Sequence, residues 1–356
     1  MTPMKAIKID KAEWTRGLDA LRGGFRLFGP VTEKGHCNFK ELAAGQAPEM
    51  TAANTHLSAK SLVFPQSEAM MAYSLAPGED QNICREVPKD YSPRAIVGIR
   101  PCDAKAMVLV HMNFDNGDYQ DPYWLNLYNT ATLVGQACDN PCSTCFCTSA
   151  GCGPYHEEGL DVLLSDQQDH YLAKVLTEKG RKLMEAAGWT TEADDQPLAA
   201  KKSAAEAKIT SKVSTDRLKD LDTLDLHQAD IWEEIAFACI NCGTCTFVCP
   251  TCWCFDIQDE VYGQKGVRMR NWDSCMFPIF TVHTTGHNPR GTRQQRLRQR
   301  FMHKLKYFID KYDQGIMCVG CGRCVQQCPV NIDIRKICDT MNSLDSEKFC
   351  AVQQGK

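Results

Sequence analysis

Two cysteine runs constrain this chain more than any other feature: Cys239-x2-Cys242-x2-Cys245-x3-Cys249-Pro250 and Cys318-x2-Cys321-x2-Cys324-x3-Cys328-Pro329. Three cysteines within seven residues, followed at a fixed offset by a fourth and a proline, make the bacterial-type run for [4Fe-4S] clusters. A tight loop of this length wraps three thiolates around three iron corners. The fourth cysteine lies beyond the loop at a proline turn and is directed to the other cluster, so the spacing predicts crossed ligation. One cluster is expected on Cys239, Cys242, Cys245 and Cys328, and the second on Cys318, Cys321, Cys324 and Cys249. Zinc ribbons use two separated Cys-x2-Cys pairs, and a thioredoxin-like centre uses one pair beside a βαβ unit. These runs are too dense for either.

The other cysteines point the same way. There are 21 in 356 residues, an odd number, and Met1 to Asp10 does not read as a secretory signal. A chain of this length buries enough surface to fold without disulfides. With no apolar stretch of about eighteen residues, no membrane span is expected, and thiols at this density suit a reducing cytoplasm. The formal charge of −4, from 40 basic and 44 acidic residues, offers no bulk attraction for nucleic acid.

Short apolar stretches at Ser61–Pro65, Arg94–Ile99, Thr130–Gly135 and Leu160–Leu164 read as strands buried on both faces. Helical patterns at Ala104–Met112 and His170–Ala187 follow or separate them, so residues 1–190 are expected to form an α/β domain. From 191 to 225 the composition shifts to Ala, Lys, Glu, Asp, Ser and Thr, which reads as a solvent-side linker with helix-compatible stretches. Residues 226–356 carry helical segments such as Gln228–Ala238 and Arg293–Ile309 around the cysteine runs. No strand of any length is expected there. The fold class is thus an α/β N-terminal domain plus a mostly α-helical, two-[4Fe-4S] ferredoxin-like C-terminal domain.

The 68 residues between Cys249 and Cys318 exceed the spacer of a small two-cluster ferredoxin and predict a helical insertion. No acidic residue occurs between Ser274 and Ile309, whereas Arg290, Arg293, Arg296, Arg298, Arg300, Lys304 and Lys306 crowd together. A nucleic-acid-binding iron–sulfur protein is one reading of that stretch. A cationic helix that offsets the negative clusters or docks an acidic partner is the simpler one. His283 and His287 have the spacing of a zinc-protease helix but no glutamate between them, so that site is rejected. Cys252 and Cys254 are read as packing beside a cluster, and Cys37, Cys84, Cys275, Cys338 and Cys350 stay unassigned, with packing the default for them too.

A third cysteine group lies in the first domain. Cys102 follows the strand ending at Ile99 and Cys138 follows the one ending near Gly135, so parallel strands would bring both to one sheet edge, where α/β folds place ligands. Asp103 is read as the cap of the next helix, whose free N–H groups would favour the Cys102 thiolate. Cys138, Cys142, Cys145, Cys147 and Cys152 then occupy fifteen residues. Cys138-x3-Cys142-x2-Cys145 also has radical S-adenosylmethionine spacing. Against that enzyme reading, the motif begins after 137 residues, Thr144 replaces the usual aromatic, and too few βα units remain for a long barrel. Spacing alone does not separate Cys138 from Cys142 as a ligand.

Gly98-Ile-Arg-Pro-Cys-Asp103, Cys145-Phe-Cys-Thr-Ser149, Cys249-Pro-Thr-Cys-Trp-Cys-Phe-Asp256, Trp272-Asp-Ser-Cys275, Gly286-His-Asn-Pro-Arg290 and Cys318-Val-Gly-Cys-Gly-Arg-Cys324 together resemble the iron–sulfur β subunits of cytoplasmic sulfhydrogenases and the related iron–sulfur component of anaerobic sulfite reductase. The resemblance runs in order from about Ser61 to Asp333. It implies a relay between a flavoprotein that handles NAD(P)H or ferredoxin and a terminal hydrogenase, heterodisulfide reductase or sulfite reductase module. It also implies a third [4Fe-4S] cluster on Cys102, Cys138, Cys145 and Cys147, with Cys142 an addition and Cys152 standing where a threonine is usual. No Gly-x-Gly-x2-Gly phosphate cradle occurs, so no flavin of its own is expected.

Overall fold

The computed structural model describes residues 6–78 and 83–344. In chain order the N-terminal half comprises β1 (Ala6–Asp10), α1 (Lys11–Leu21), β2 (Arg26–Glu33), β3 (His36–Glu41), β4 (Ser67–Ser74), β5 (Cys84–Glu86), β6 (Arg94–Ile99) and α2 (Pro101–Phe114). It continues through α3 (Pro122–Thr130), β7 (Ala131–Gln136), β8 (Val162–Asp166), β9 (His170–Val175), α4 (Glu178–Ala186), β10 (Thr191–Ala193) and α5 (Gln196–Ala207). Strands β6 and β7 are buried along their whole length, as apolar runs without polar alternation must be when both sheet faces are covered.

The main sheet has the order β10-β1-β9-β8-β7-β6-β2-β3. Its centre, β8-β7-β6-β2, is parallel and its flanks are antiparallel. One face packs Trp14, Leu18 and Leu21 of α1 against Leu183 and Met184 of α4, and Trp14 stacks on Trp189. The other face packs Met107 and Val110 of α2 with Trp124 of α3. That second core also takes in Phe308, Met317 and Val319, so the two halves of the chain share it.

The C-terminal half contains α6 (Thr223–Gln228), α7 (Ile231–Ala236), α8 (Thr244–Phe247), β11 (Phe255–Tyr262), β12 (Lys265–Trp272) and α9 (Arg293–Met302). A π-helical turn at His303–Tyr307, α10 (Phe308–Tyr312), α11 (Arg323–Gln326) and α12 (Ile334–Asn342) complete it. The expectation of a strand-free C-terminal half fails at β11 and β12, an antiparallel hairpin of two eight-residue strands. Its loop is two residues long, and Gly263 at the first loop position has a positive φ of 61°, where a type II′ turn places glycine. β12 pairs with β4, so a second sheet, β11-β12-β4-β5, takes two strands from each half.

Other expectations also shift. Ser61–Pro65 is not a strand: Ser58 caps a 3-10 turn at Ala59–Leu62. His170–Ala187 divides into β9 and α4, with Thr177 capping the helix. Helix α2 starts at Pro101 with Arg100 in the cap position, which frees Asp103 for an ion pair. The 191–225 stretch contributes β10 and α5, with Leu198 and Ala205 in the shared core and Val213, Leu218 and Leu221 in the C-terminal core. Among the described residues no helix is long and apolar enough to cross a membrane.

Candidate iron-sulfur centres

The two ferredoxin runs fold as copies of one loop. In the first, Asn241 and Gly243 have positive φ values of 56° and 75°; in the second, Gly320 and Gly322 have 63° and 74° at the same offsets. Each left-handed pair reverses the chain around the middle cysteine and starts a one-turn helix, α8 or α11. The backbone N–H of Asn241 points at Cys239 Sγ (3.5 Å) and that of Gly320 at Cys318 Sγ (3.4 Å), again at equal offsets. Such contacts to cysteine sulfur help set cluster potentials.

The loops gather the cysteines into cavities. Cys239, Cys242, Cys245 and Cys328 line one, together with Met276, Leu297, Arg300 and Phe301. Cys249, Cys318, Cys321 and Cys324 line another with Phe146, Thr251, Arg300 and Lys304. Each fourth cysteine therefore stands with the other run's three. Arg300 lies in the wall between the two cavities.

The third group meets at the sheet edge. Parallel pairing sets Ile99 beside Gly135, and the chain leaving these strands carries Cys102 in the first turn of α2 and Cys138 in the loop after β7. Cys102, Cys138, Cys142, Cys145 and Cys147 line one cavity, and Cys321 of the second run completes its wall. Phe146 is buried in the C-terminal core while its neighbours Cys145 and Cys147 both face the cavity, the alternation that suits two nearby ligands. The Phe146 N–H donates to the Gly320 carbonyl at 2.9 Å, which ties this loop to the second run. Because Cys142 lines the same cavity, the radical-type trio of Cys138, Cys142 and Cys145 is also brought together. Cys152 lies outside that lining, with its thiol directed at the Gly153 carbonyl.

Electrostatics decide what these cavities can hold. Burial pushes the thiols of Cys102, Cys147 and Cys245 up, the latter two to about 11, and that of Cys318 to about 12. At Cys102 burial and the adjacent Asp103 work against the thiolate and Arg323 works for it. A bound metal ion reverses this balance, because coordination deprotonates a thiol outright. Among the described residues no three Cys, His, Asp or Glu side chains converge on a point that would hold a single metal ion. Four cysteines spread around a common cavity instead fit a multinuclear group such as [4Fe-4S].

The remaining cysteines lie around these centres. The Cys252 thiol touches that of Cys249, and the Cys254 thiol touches that of Cys275, whose hydrogen bond holds Cys254 down at about 7. Cys37 and Cys84 sit on β3 and β5, Cys338 is buried in the C-terminal core, and Cys350 lies outside the described residues. Of the seven clustered cations, Arg296, Arg300, Lys304 and Lys306 are buried, which removes most of the basic face that a nucleic-acid reading needs. Sequence reasoning passed over Lys60, Arg100 and Arg323, all buried. Lys60 Nζ donates to the carbonyls of Cys249 and Cys252; Arg100 donates to those of Ala52 and Ala137; Arg323 pairs with Asp103.

Comparisons with known proteins agree with this geometry. Residues 238–332, which contain both runs, match the 4Fe-4S dicluster domain family. Sulfhydrogenase 2 subunit beta of Pyrococcus furiosus is 29% identical over 340 residues, or 94% of this chain and 98% of that protein. No solved structure matches the chain.

Proposed function

We propose that this chain, a homologue of the sulfhydrogenase 2 β subunit with a 4Fe-4S dicluster domain, is the electron-relay subunit of a cytoplasmic oxidoreductase complex and holds three [4Fe-4S] clusters. The observation that carries the reading is the succession of cysteine-lined cavities. Cys321 borders both the first-domain cavity and the middle one, and Arg300 borders both the middle cavity and the Cys239 cavity. A [4Fe-4S] cluster supplies one-electron chemistry. The chain's own residues would hold the clusters in a row, exclude water from the middle site and leave Cys242 exposed at one end. Cys102, Cys138, Cys145 and Cys147 are our ligand set for the third site, with Cys142 beside them.

The partners that suit such a row are a flavoprotein electron donor and a terminal module of hydrogenase, heterodisulfide reductase or sulfite reductase type, with any flavin residing in the partner. Iron analysis of anaerobically purified protein tests the count. About twelve irons per chain are expected, whereas about eight would remove the first-domain cluster. Cys249→Ser should alter the spectrum of the cluster on Cys318, Cys321 and Cys324; a change confined to the cluster on Cys239, Cys242 and Cys245 would refute the crossed assignment. Cleavage of S-adenosylmethionine by the reconstituted chain would favour the radical-enzyme alternative.

A further inference from the structure

Three cations without a carboxylate partner among the described residues lie around the middle site, two at the Cys249–Cys252 turn and one in the wall it shares with the Cys239 cavity. Lys304 donates to Thr251 Oγ1 at 2.7 Å and faces the Met317 carbonyl at 3.4 Å. Arg300 donates to the Cys245 carbonyl at 3.3 Å, and its buried Nε has no hydrogen-bond partner. From the N-terminal half, Lys60 donates to the carbonyls of Cys249 (3.1 Å) and Cys252 (2.6 Å) and lies over the Trp272 ring at 4.0 Å. All three are at most 4% exposed. Arg270, Lys306 and Arg323 are equally enclosed, but each of those meets a carboxylate. A buried charge is costly unless an opposite charge answers it. The opposite charge nearest these three is that of cysteine sulfur: Cys249 and Cys252 for Lys60 and Lys304, and Cys245 and Cys324 for Arg300.

The distribution is unequal along the row. The Cys239 cavity shares Arg300 and is screened by water at its exposed Cys242. The first-domain cavity has Arg100, which rests on backbone carbonyls, while the nearby Arg323 is cancelled by Asp103. Among the described residues the first-domain cavity thus has one cation without a carboxylate, Arg100, whereas the middle site has three and little water. Nearby positive charge favours the reduced, more negative state of a cluster, most strongly where water is excluded.

We propose that Lys60, Arg300 and Lys304 are tuning residues that make the middle site the most easily reduced of the three, so that an electron entering from either end comes to rest there. This rests on the relay reading, and iron content separates the two ideas. The test is a redox titration followed by electron paramagnetic resonance on the full-length, anaerobically purified chain. The middle signal is identified as the one altered by Cys318→Ser. In the unmodified protein that signal is expected to develop first. Lys304→Met should lower its reduction constant tenfold or more, about 59 mV for one electron, and leave the first-domain signal in place. Lys304→Arg should restore the original midpoint, and Lys60→Met should reproduce the shift from the opposite side. An outer signal that develops first in the unmodified protein overturns the inference, with no variant required. So does an unshifted middle midpoint in iron-replete Lys304→Met or Lys60→Met. A chain with only about eight irons would instead remove the three-site relay itself.

Discussion

Between Cys321 and Cys324, Arg323 leaves its own loop for the N-terminal half, where its two terminal nitrogens meet the Asp103 carboxylate at 2.5 and 2.8 Å and its Nε meets the Thr55 carbonyl at 2.8 Å. Both side chains of the pair are 1% exposed. Against a well-packed apolar pair, such a bridge gains little, because desolvation offsets the attraction. Removing one partner is different, since it strands a charge. Arg323→Met is expected to cost about 3–5 kcal/mol, and adding Asp103→Leu should recover much of the loss. Thermal unfolding of the iron-loaded proteins checks this; a single variant as stable as the parent would show that Asp103 finds its compensation elsewhere.

At the scale of elements, the second run and the first-domain cysteine loop fit together backbone to backbone. A Cβ on Gly320 would lie 2.5 Å from the Cys147 backbone nitrogen, and one on Gly322 would meet Thr144 at 2.3 Å. Asn241, at the offset equivalent to Gly320, tolerates the same left-handed backbone with a side chain, so contact with the loop is the stricter demand. With the proposed first-domain cluster, Gly320→Ala should therefore lose roughly four irons and keep the others, whereas Asn241→Ala should keep all of them. Full iron retention by Gly320→Ala would mean that the loop can retreat. The run spacing, the parallel pair β6 and β7, and α9 were legible because each is a local pattern. The hairpin was not, although Phe255, Ile257 and Val261 do alternate with polar residues. Its strand β12 is completed by β4, which joins Met269 to Ala69 across a separation that leaves no local trace. The cation stretch carried a readable signal: Arg296, Arg300 and Lys304 recur every four residues and so share one helix face, turned inward. Lys60 has no such pattern, and only the fold brings it to Cys249.

Across the whole molecule, the cores differ in how much they depend on the cysteine sites. The core of Trp14, Leu18, Leu183 and Trp189 contains no cysteine and lies on the far face of the main sheet. The C-terminal core contains Cys239 and Cys338 and packs against Cys245, Cys318 and Cys324. Without clusters, the Cys245 and Cys318 thiols are pushed upward and stay neutral while the Cys252 contact holds Cys249 low, so Lys60, Arg300 and Lys304 lose part of their counter-charge. A group that binds only the folded state stabilises it, and here it also removes several kcal/mol of uncompensated charge burial. Removing iron by anaerobic chelation should therefore open residues 226–344 first and leave the sheet standing. Limited proteolysis is expected to cut the iron-free chain in that region and to spare residues 6–190, with the iron-loaded chain resistant throughout. Equal cleavage in both regions would show that the sheet depends on the clusters as much as the C-terminal half does, through the core that contains Val110 and Met317 together.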